Sequence, residues 1–216
     1  MNLRLSQIAS IILIIFTFFL GIFLYPKMPS LMAAHWNAQG EINGYLPKIW
    51  VLFTMPALSG ILFLFLVLIP KIDPLRENIK KFGKYFDEFV FTMILFLSYI
   101  YVLQIFWNLG YSFNIMRLLS PAFAILFFVT GILVKNSKQN WFIGIRTPWT
   151  LSDKKIWDKT NKLGGELFQF SAVLSLGGAL MPHLAIYFVL IPVVFSSFFI
   201  IIYSYIIYTK SNKAFK

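Results

Sequence analysis

The sequence predicts an all-α integral membrane protein of six transmembrane helices with both termini on the inner side, and three observations carry that prediction. Hydrophobic residues make up 59% of the 216 and charged residues only 12%, too few charges to cover a water-soluble globule of this size. The apolar residues fall into six runs, 8–24, 50–69, 89–108, 118–134, 167–181 and 184–207, none containing Asp, Glu, Lys, Arg or His. The basic residues are sorted between the connecting segments. The N-terminus, loop 70–88, loop 135–166 and the C-terminal tail hold one, five, seven and three of the 19 Lys and Arg, leaving three for the other side.

Most of the runs reach the roughly 17 to 25 residues that a helix needs to cross the hydrocarbon core. Inside lipid the backbone amides have no water to bond, so a spanning segment must satisfy them within itself as a helix. The first run, preceded by Arg4, is long for a signal sequence and is read as an uncleaved first span. The fifth is short, with an inner end that extends toward Gly164 and Glu166. The charge sorting places the four basic segments inside by the positive-inside rule. The net charge of +11 is therefore a topology signal with anionic lipid as its partner, not a footprint for nucleic acid. The chain has no cysteine, which excludes disulfides, thiolate chemistry and thiolate metal sites.

Between the first two spans, the outer loop 25–49 opens with Pro26 and Pro29 and contains H-W-N-A-Q-G-E-I-N-G-Y, whose Gly40, Asn43 and Gly44 read as successive turns. On the inner side Asp73 and Pro74 form a helix start, with Asp accepting from free amides and Pro placed where no amide bond is lost. Leu75, Ile79, Phe82, Phe86 and Phe89 then recur at helical spacing, with Lys80, Lys81 and Lys84 largely elsewhere. This pattern predicts an amphipathic helix lying on the inner membrane surface and bending near Gly83 into the third span. In the second inner loop, Thr150 and Asp153 have the spacing of a capping box, and Ile156, Thr160, Leu163 and Leu167 predict a helix leading into the fifth span. Ser171, Ser175 and Gly178 or Ala179 form a small-residue stripe for close helix packing. The tail 210–216 reads as a short solvated anchor.

The spans carry no acidic, basic or histidine side chain, which argues against a proton- or ion-coupled transporter. Both His35 and His183 fall on the outer side, and neither a Ser, His and Asp set nor an HExxH pattern is present, so the chain is read as non-enzymatic. The alternative to a receptor-like role is a small transporter or channel, for which Gln104, Asn108, Ser171 and Ser175 would have to line the pore.

Two clusters of candidate site residues remain. In the outer loop His35, Asn37, Glu41 and Asn43 supply an imidazole, a carboxylate and two amides within nine residues. They suit either turn hydrogen bonds or a polar ligand, and their spacing matches no strong metal motif. Neither a metal nor another cofactor is expected. Trp36 and Tyr45 beside them are aromatic anchors for a ligand or for the membrane interface.

The second cluster is the inner stretch 140–151, N-W-F-I-G-I-R-T-P-W-T-L. Here Asn140, Gly144, Arg146, Thr147, Pro148, Trp149 and Thr150, followed by Trp157, interrupt an otherwise apolar chain. Arg146 offers a planar fork of donors that stays charged. Its partners are a lipid phosphate, backbone carbonyls at span ends, or the carboxylates Asp153, Asp158 and Glu166. Trp149 and Trp157 read equally well as markers of the membrane surface.

This inner stretch, with Asn140, Gly144, Arg146, Thr147, Pro148, Trp149, Thr150, Leu151, Trp157 and Gly164, resembles the SdpI family of membrane immunity and signalling proteins. Pro29, His35, Asn37, Gly40, Gly44, Tyr45 and Lys48 resemble a small membrane domain of unknown function often found before it. The resemblance implies a division into a two-span unit over 1–70, an amphipathic helix plus third span over 71–117, and an SdpI-like domain over 118–216. It further implies a plasma-membrane protein that protects its cell from a secreted peptide toxin met outside and that holds a cytoplasmic repressor inside. One departure is Asn161, which follows Thr160 where members of the family often carry histidine. No titratable group carries over to that position.

Overall fold

The computed structural model describes residues 4–213, with side chains through Ser211. Nine α-helices are present among these residues: α1 (Leu5–Leu24), α2 (Lys48–Ile72), α3 (Arg76–Lys80), α4 (Gly83–Asn108), α5 (Ile115–Asn136), α6 (Pro148–Ser152), α7 (Lys154–Ser175), α8 (Gly177–Leu180) and α9 (Ala185–Lys213). Six segments are long and apolar enough to cross a membrane: Leu5–Lys27, Lys48–Ile72, Gly83–Asn108, Ile115–Asn136, Lys154–Leu180 and Pro182–Ser211. The fifth is much longer than its charge-free run, because the expected inner helix and span five are one helix. Its charged first turns remain helical because Ile156, Trp157, Thr160, Asn161 and Gly164 bury one face. Most of the expected solvated tail is likewise the end of α9, and residues 214–216 lie outside the described residues.

The small-residue stripe packs as its composition predicts. Ser171 and Ser175 are fully buried, and the Ser171 hydroxyl lies 3.2 Å from that of Ser196 on α9. A closer approach joins α5 and α7, where a Cβ on Gly131 would lie 2.6 Å from the Gly165 carbonyl oxygen. Without a hydrophobic drive between helices in lipid, backbone contact of this kind supplies the packing attraction.

The outer loop departs from an all-α architecture. Residues Leu31–Trp36 (β1) and Ile42–Pro47 (β2) form an antiparallel hairpin, with Leu31 opposite Pro47, His35 opposite Gly44 and Trp36 opposite Ile42. The turn is built by Asn37, whose side-chain oxygen accepts from the Gln39 and Glu41 amides at 3.0 and 2.9 Å, and by Gly40 at φ +83°. Met32 and Ala33 are buried on one side, where Met32 joins Leu24, Leu52, Tyr101 and Ile105 in an outer core. Asn108 clamps Ala33, accepting from its amide at 2.8 Å and donating to its carbonyl at 3.1 Å. Gln104 donates to the same carbonyl at 3.3 Å. Amide side chains on α4 thus meet both backbone groups of a buried strand residue that would otherwise be left without a bond.

At the opposite end Arg4, loop 70–88 and loop 135–166 converge. Arg4 pairs with Asp87, and Gly83 gives room for that guanidinium, since a Cβ there would lie 3.0 Å from it. The apolar stripe of loop 70–88 does not lie on lipid. Ile79, Phe82 and Phe86 are almost wholly buried in a core shared with Phe63, Leu66, Ile69, Leu133 and Ile143, and α3 is a single turn rather than a surface helix. The bend at Gly83 is where α4 begins. Burial against protein on three sides removes more apolar surface than lying half-immersed at an interface, so the bundle wins the stripe.

The predicted inner segments thus share one end of the bundle, and the hairpin occupies the other. In this cysteine-free chain, Asn43→Cys is expected to react with an impermeant maleimide in intact cells, and Ser152→Cys only after permeabilisation. Both positions are exposed. Labelling of Ser152→Cys in intact cells would invert the orientation.

Candidate functional site

The inner motif loop between α5 and α7 is organised by Asn140, which is completely buried. Its side-chain oxygen accepts from the Phe142 and Ile143 amides at 2.9 and 2.6 Å, and its amide group donates to the Lys138 and Ile143 carbonyls, both at 2.8 Å. Asp73 holds the loop from the other side. One carboxylate oxygen accepts from the Leu75 amide at 2.6 Å and the other from the Trp141 amide at 2.9 Å; Asp73 thus shapes the turn before α3 and does not cap it, since α3 begins at Arg76 with Leu75 as its N-cap. Asn78 on α3 donates to the Gln139 carbonyl at 2.9 Å. The N-terminal half therefore pins the motif loop of the C-terminal half, through residues that sequence reasoning assigned to a separate helix.

Gly144 follows at φ +105°, a conformation that favours glycine. Asn161 sits against it and accepts from the Ile145 amide at 2.7 Å while donating to the Trp157 carbonyl at 3.1 Å. The position where histidine is expected thus holds a neutral, buried loop tether. Trp157 is fully buried and donates from Nε1 to the Ser137 carbonyl at 3.1 Å, so it is a core residue and not a marker of the membrane surface. Trp149 is half-buried, with its ring 5.1 Å from that of Tyr205 on α9.

The capping box is shifted by three residues from the expected one. Thr147 is the N-cap of α6, accepting from the Thr150 amide at 3.2 Å, and Thr150 Oγ1 accepts from the Thr147 amide at 2.8 Å. Pro148 occupies the first helical position, where its missing amide loses nothing. Asp153 instead caps α7 through the Lys155 and Ile156 amides. The T-P-W-T spacing carried the correct signal, because Pro at the first position marks the residue before it as the cap.

Arg146 is exposed and donates to the Trp141 carbonyl at 2.6 Å. Among the described residues no carboxylate lies within salt-bridge distance of it; Glu166 pairs with Lys135 at 3.0 Å. The guanidinium stands on a cavity of about 630 Å³ walled by Leu66 and Ile69 of α2, Phe86 and Phe89 of α4, residues of α5, α7 and α9, and the motif loop from Phe142 to Trp149.

In the outer cluster the side chains satisfy one another. His35 Nδ1 lies 2.5 Å from the Asn43 side-chain oxygen, and Asn37 donates to the Glu41 carboxylate at 3.0 Å. No group of three His, Asp or Glu suited to a metal occurs among the described residues. Tyr45 is exposed, whereas Trp36 is half-buried with its ring 6.4 Å from that of Trp107. The four side chains proposed for a pore are each engaged in a hydrogen bond. Gln104 and Asn108 hold the hairpin, while Ser171 and Ser175 bond to the Leu167 and Ser171 carbonyls of their own helix.

Comparison with known proteins finds two matched regions. Residues 12–60, from within α1 through the hairpin into the first half of α2, match a domain of unknown function, DUF1648. The chain is 26% identical over 162 residues to the immunity protein SdpI of Bacillus subtilis (strain 168), covering 75% of each chain. No solved structure matches it significantly. Residues 136–207, from the end of α5 through the motif loop and α7 into α9, match the model of the SdpI/YfhL protein family, so the motif that is buried and bonded as described lies within the matched region.

Proposed function

We propose that this protein is a non-enzymatic, multi-pass immunity protein of the bacterial plasma membrane that protects its cell from a secreted toxic peptide. The outer hairpin recognises the peptide, and the inner motif loop passes the event to a cytoplasmic repressor, with no direct contact to nucleic acid. The observation that carries this reading is the position of α4. Its outer end grips the hairpin through Gln104 and Asn108, and the segment entering its inner end grips the motif loop through Asp73 and Asn78. Through Phe86, which shares a core with Ile143 of the motif loop, and through this entering segment, α4 connects the two candidate sites, as coupling between them requires. Similarity to an immunity protein across both parts of the chain supports the same reading.

The test pairs peptide binding with survival in a sensitive bacterium. His35→Ala and Glu41→Ala are expected to weaken both, because each leaves a hairpin partner unpaired on the face open to a secreted ligand. Trp149→Ala is expected to keep peptide binding and lose the inner response. Protection that survives all three changes, or solute movement into liposomes by a protein that protects no cell, sinks this assignment.

A further inference from the structure

The 630 Å³ cavity lies within the roughly 300 to 1,000 Å³ in which proteins hold small ligands, and Leu66, Ile69, Phe86 and Phe89 on its wall lie outside both matched regions. Helix α9 packs on α7, α8 and α5 and stands off from α2 and α4, so the cavity is a crevice between them, with Ile201 exposed on its wall. Its polar wall groups are occupied. The Thr130 hydroxyl donates to the Leu126 carbonyl at 2.7 Å, that of Ser197 to the Val193 carbonyl at 2.7 Å, and the Ile145 carbonyl accepts from Thr150. What fills the crevice must therefore be apolar along its length.

One charged side chain lines it. Arg146 spends a single bond on the Trp141 carbonyl, and its remaining donors have no partner among the described residues. This guanidinium lies at the end of the bundle that carries most of the basic residues, where the inner leaflet places anionic headgroups. An apolar slot with an unneutralised arginine at its inner end is complementary to an amphiphile with an acyl tail and a phosphate. We propose that the crevice holds one anionic phospholipid of the inner leaflet, with an acyl chain between α2, α4 and α9 and its phosphate on Arg146. The two halves of the chain are then bridged by lipid where their helices do not touch.

The experiment is native mass spectrometry of the full chain exchanged into micelles containing equal amounts of phosphatidylglycerol and phosphatidylcholine with the same acyl chains. The wild type is expected to retain one phosphatidylglycerol with about tenfold preference, because phosphatidylcholine offers Arg146 the same phosphate together with a choline cation that the guanidinium repels. Arg146→Ala is expected to reduce the preference to parity. Ile201→Trp, at an exposed position on the crevice wall, is expected to lose the adduct altogether while the size-exclusion profile stays unchanged. Equal retention of the two lipids by the wild type, or a phosphatidylglycerol preference untouched by both substitutions, overturns the proposal. A lipid-free dimer that dissociates in Ile201→Trp assigns the crevice to a second copy and also overturns it. Survival against a peptide is scored separately, so failure here and failure of the immunity reading are distinguishable.

Discussion

Replacing Asn140 by alanine is expected to remove the folded motif loop and, with it, any function of the inner face. The side chain satisfies two backbone amides and two carbonyls from a position with no solvent access. Each buried backbone group left unmet costs about 1 to 3 kcal/mol. With Ile143 buried and bonded through both its amide and its carbonyl, the total is roughly 2 to 6 kcal/mol, a large part of the about 5 to 15 kcal/mol that holds a typical native state. Thermal unfolding in detergent, followed by size exclusion, should show a midpoint lower by about 10 °C. Asn140→Asp keeps the acceptor for the two amides but loses both donors and buries a charge, so it should do no better. A midpoint within about 2 °C of the wild type, less than 1 kcal/mol in a chain of this length, would mean that the loop holds its shape without this residue.

The second large effect is expected at Gly144, and it comes with an internal control. Gly144 and Gly110 both have positive φ, +105° and +96°. An added methyl at Gly110 meets nothing within 4 Å, whereas at Gly144 it would lie 2.6 Å from Asn161 Oδ1 and 2.9 Å from Ser137 Oγ. Gly110→Ala should therefore show only the backbone strain, about 1 kcal/mol. Gly144→Ala adds displacement of Asn161 from the Ile145 amide, and about 3 kcal/mol in total is expected once that buried bond is broken. The two variants measured side by side separate strain from collision. Equal destabilisation would show that the pocket around Asn161 and Trp157 yields freely.

The six spans and the sorting of basic residues were legible because hydropathy and charge act residue by residue. A helix in lipid needs only its own amides and an apolar surface, so runs such as 184–207 declare themselves without reference to any other segment. The hairpin was not legible. Its strands are six residues each, too short for alternation to stand out, and what holds them is a clamp from Asn108 onto Ala33, 75 positions away. The turn at Gly40 was visible, but not that it closes a hairpin, and Asn43 and Gly44, which read as further turns, lie within β2, which pairs with β1. The apolar stripe of loop 70–88 was likewise visible, and its destination was misjudged, since periodicity identifies a buried face without saying whether lipid or protein buries it.

In the motif loop, the residue types pointed to the place and the tertiary structure decided the roles. Asn140, Gly144 and Thr147 drew notice as unusual residues in an apolar chain, and they prove to shape the backbone. Arg146 alone keeps most of its donors free. Trp157 looks the same in sequence whether it lies at an interface or in a core, and only the Ser137 carbonyl at 3.1 Å from its ring nitrogen decides between them. Local composition specifies what each segment must hide from water or lipid. Which partner hides it depends on contacts such as Asp73 with Trp141 and Arg4 with Asp87, between residues 68 and 83 positions apart, and those exist only once the helices have packed.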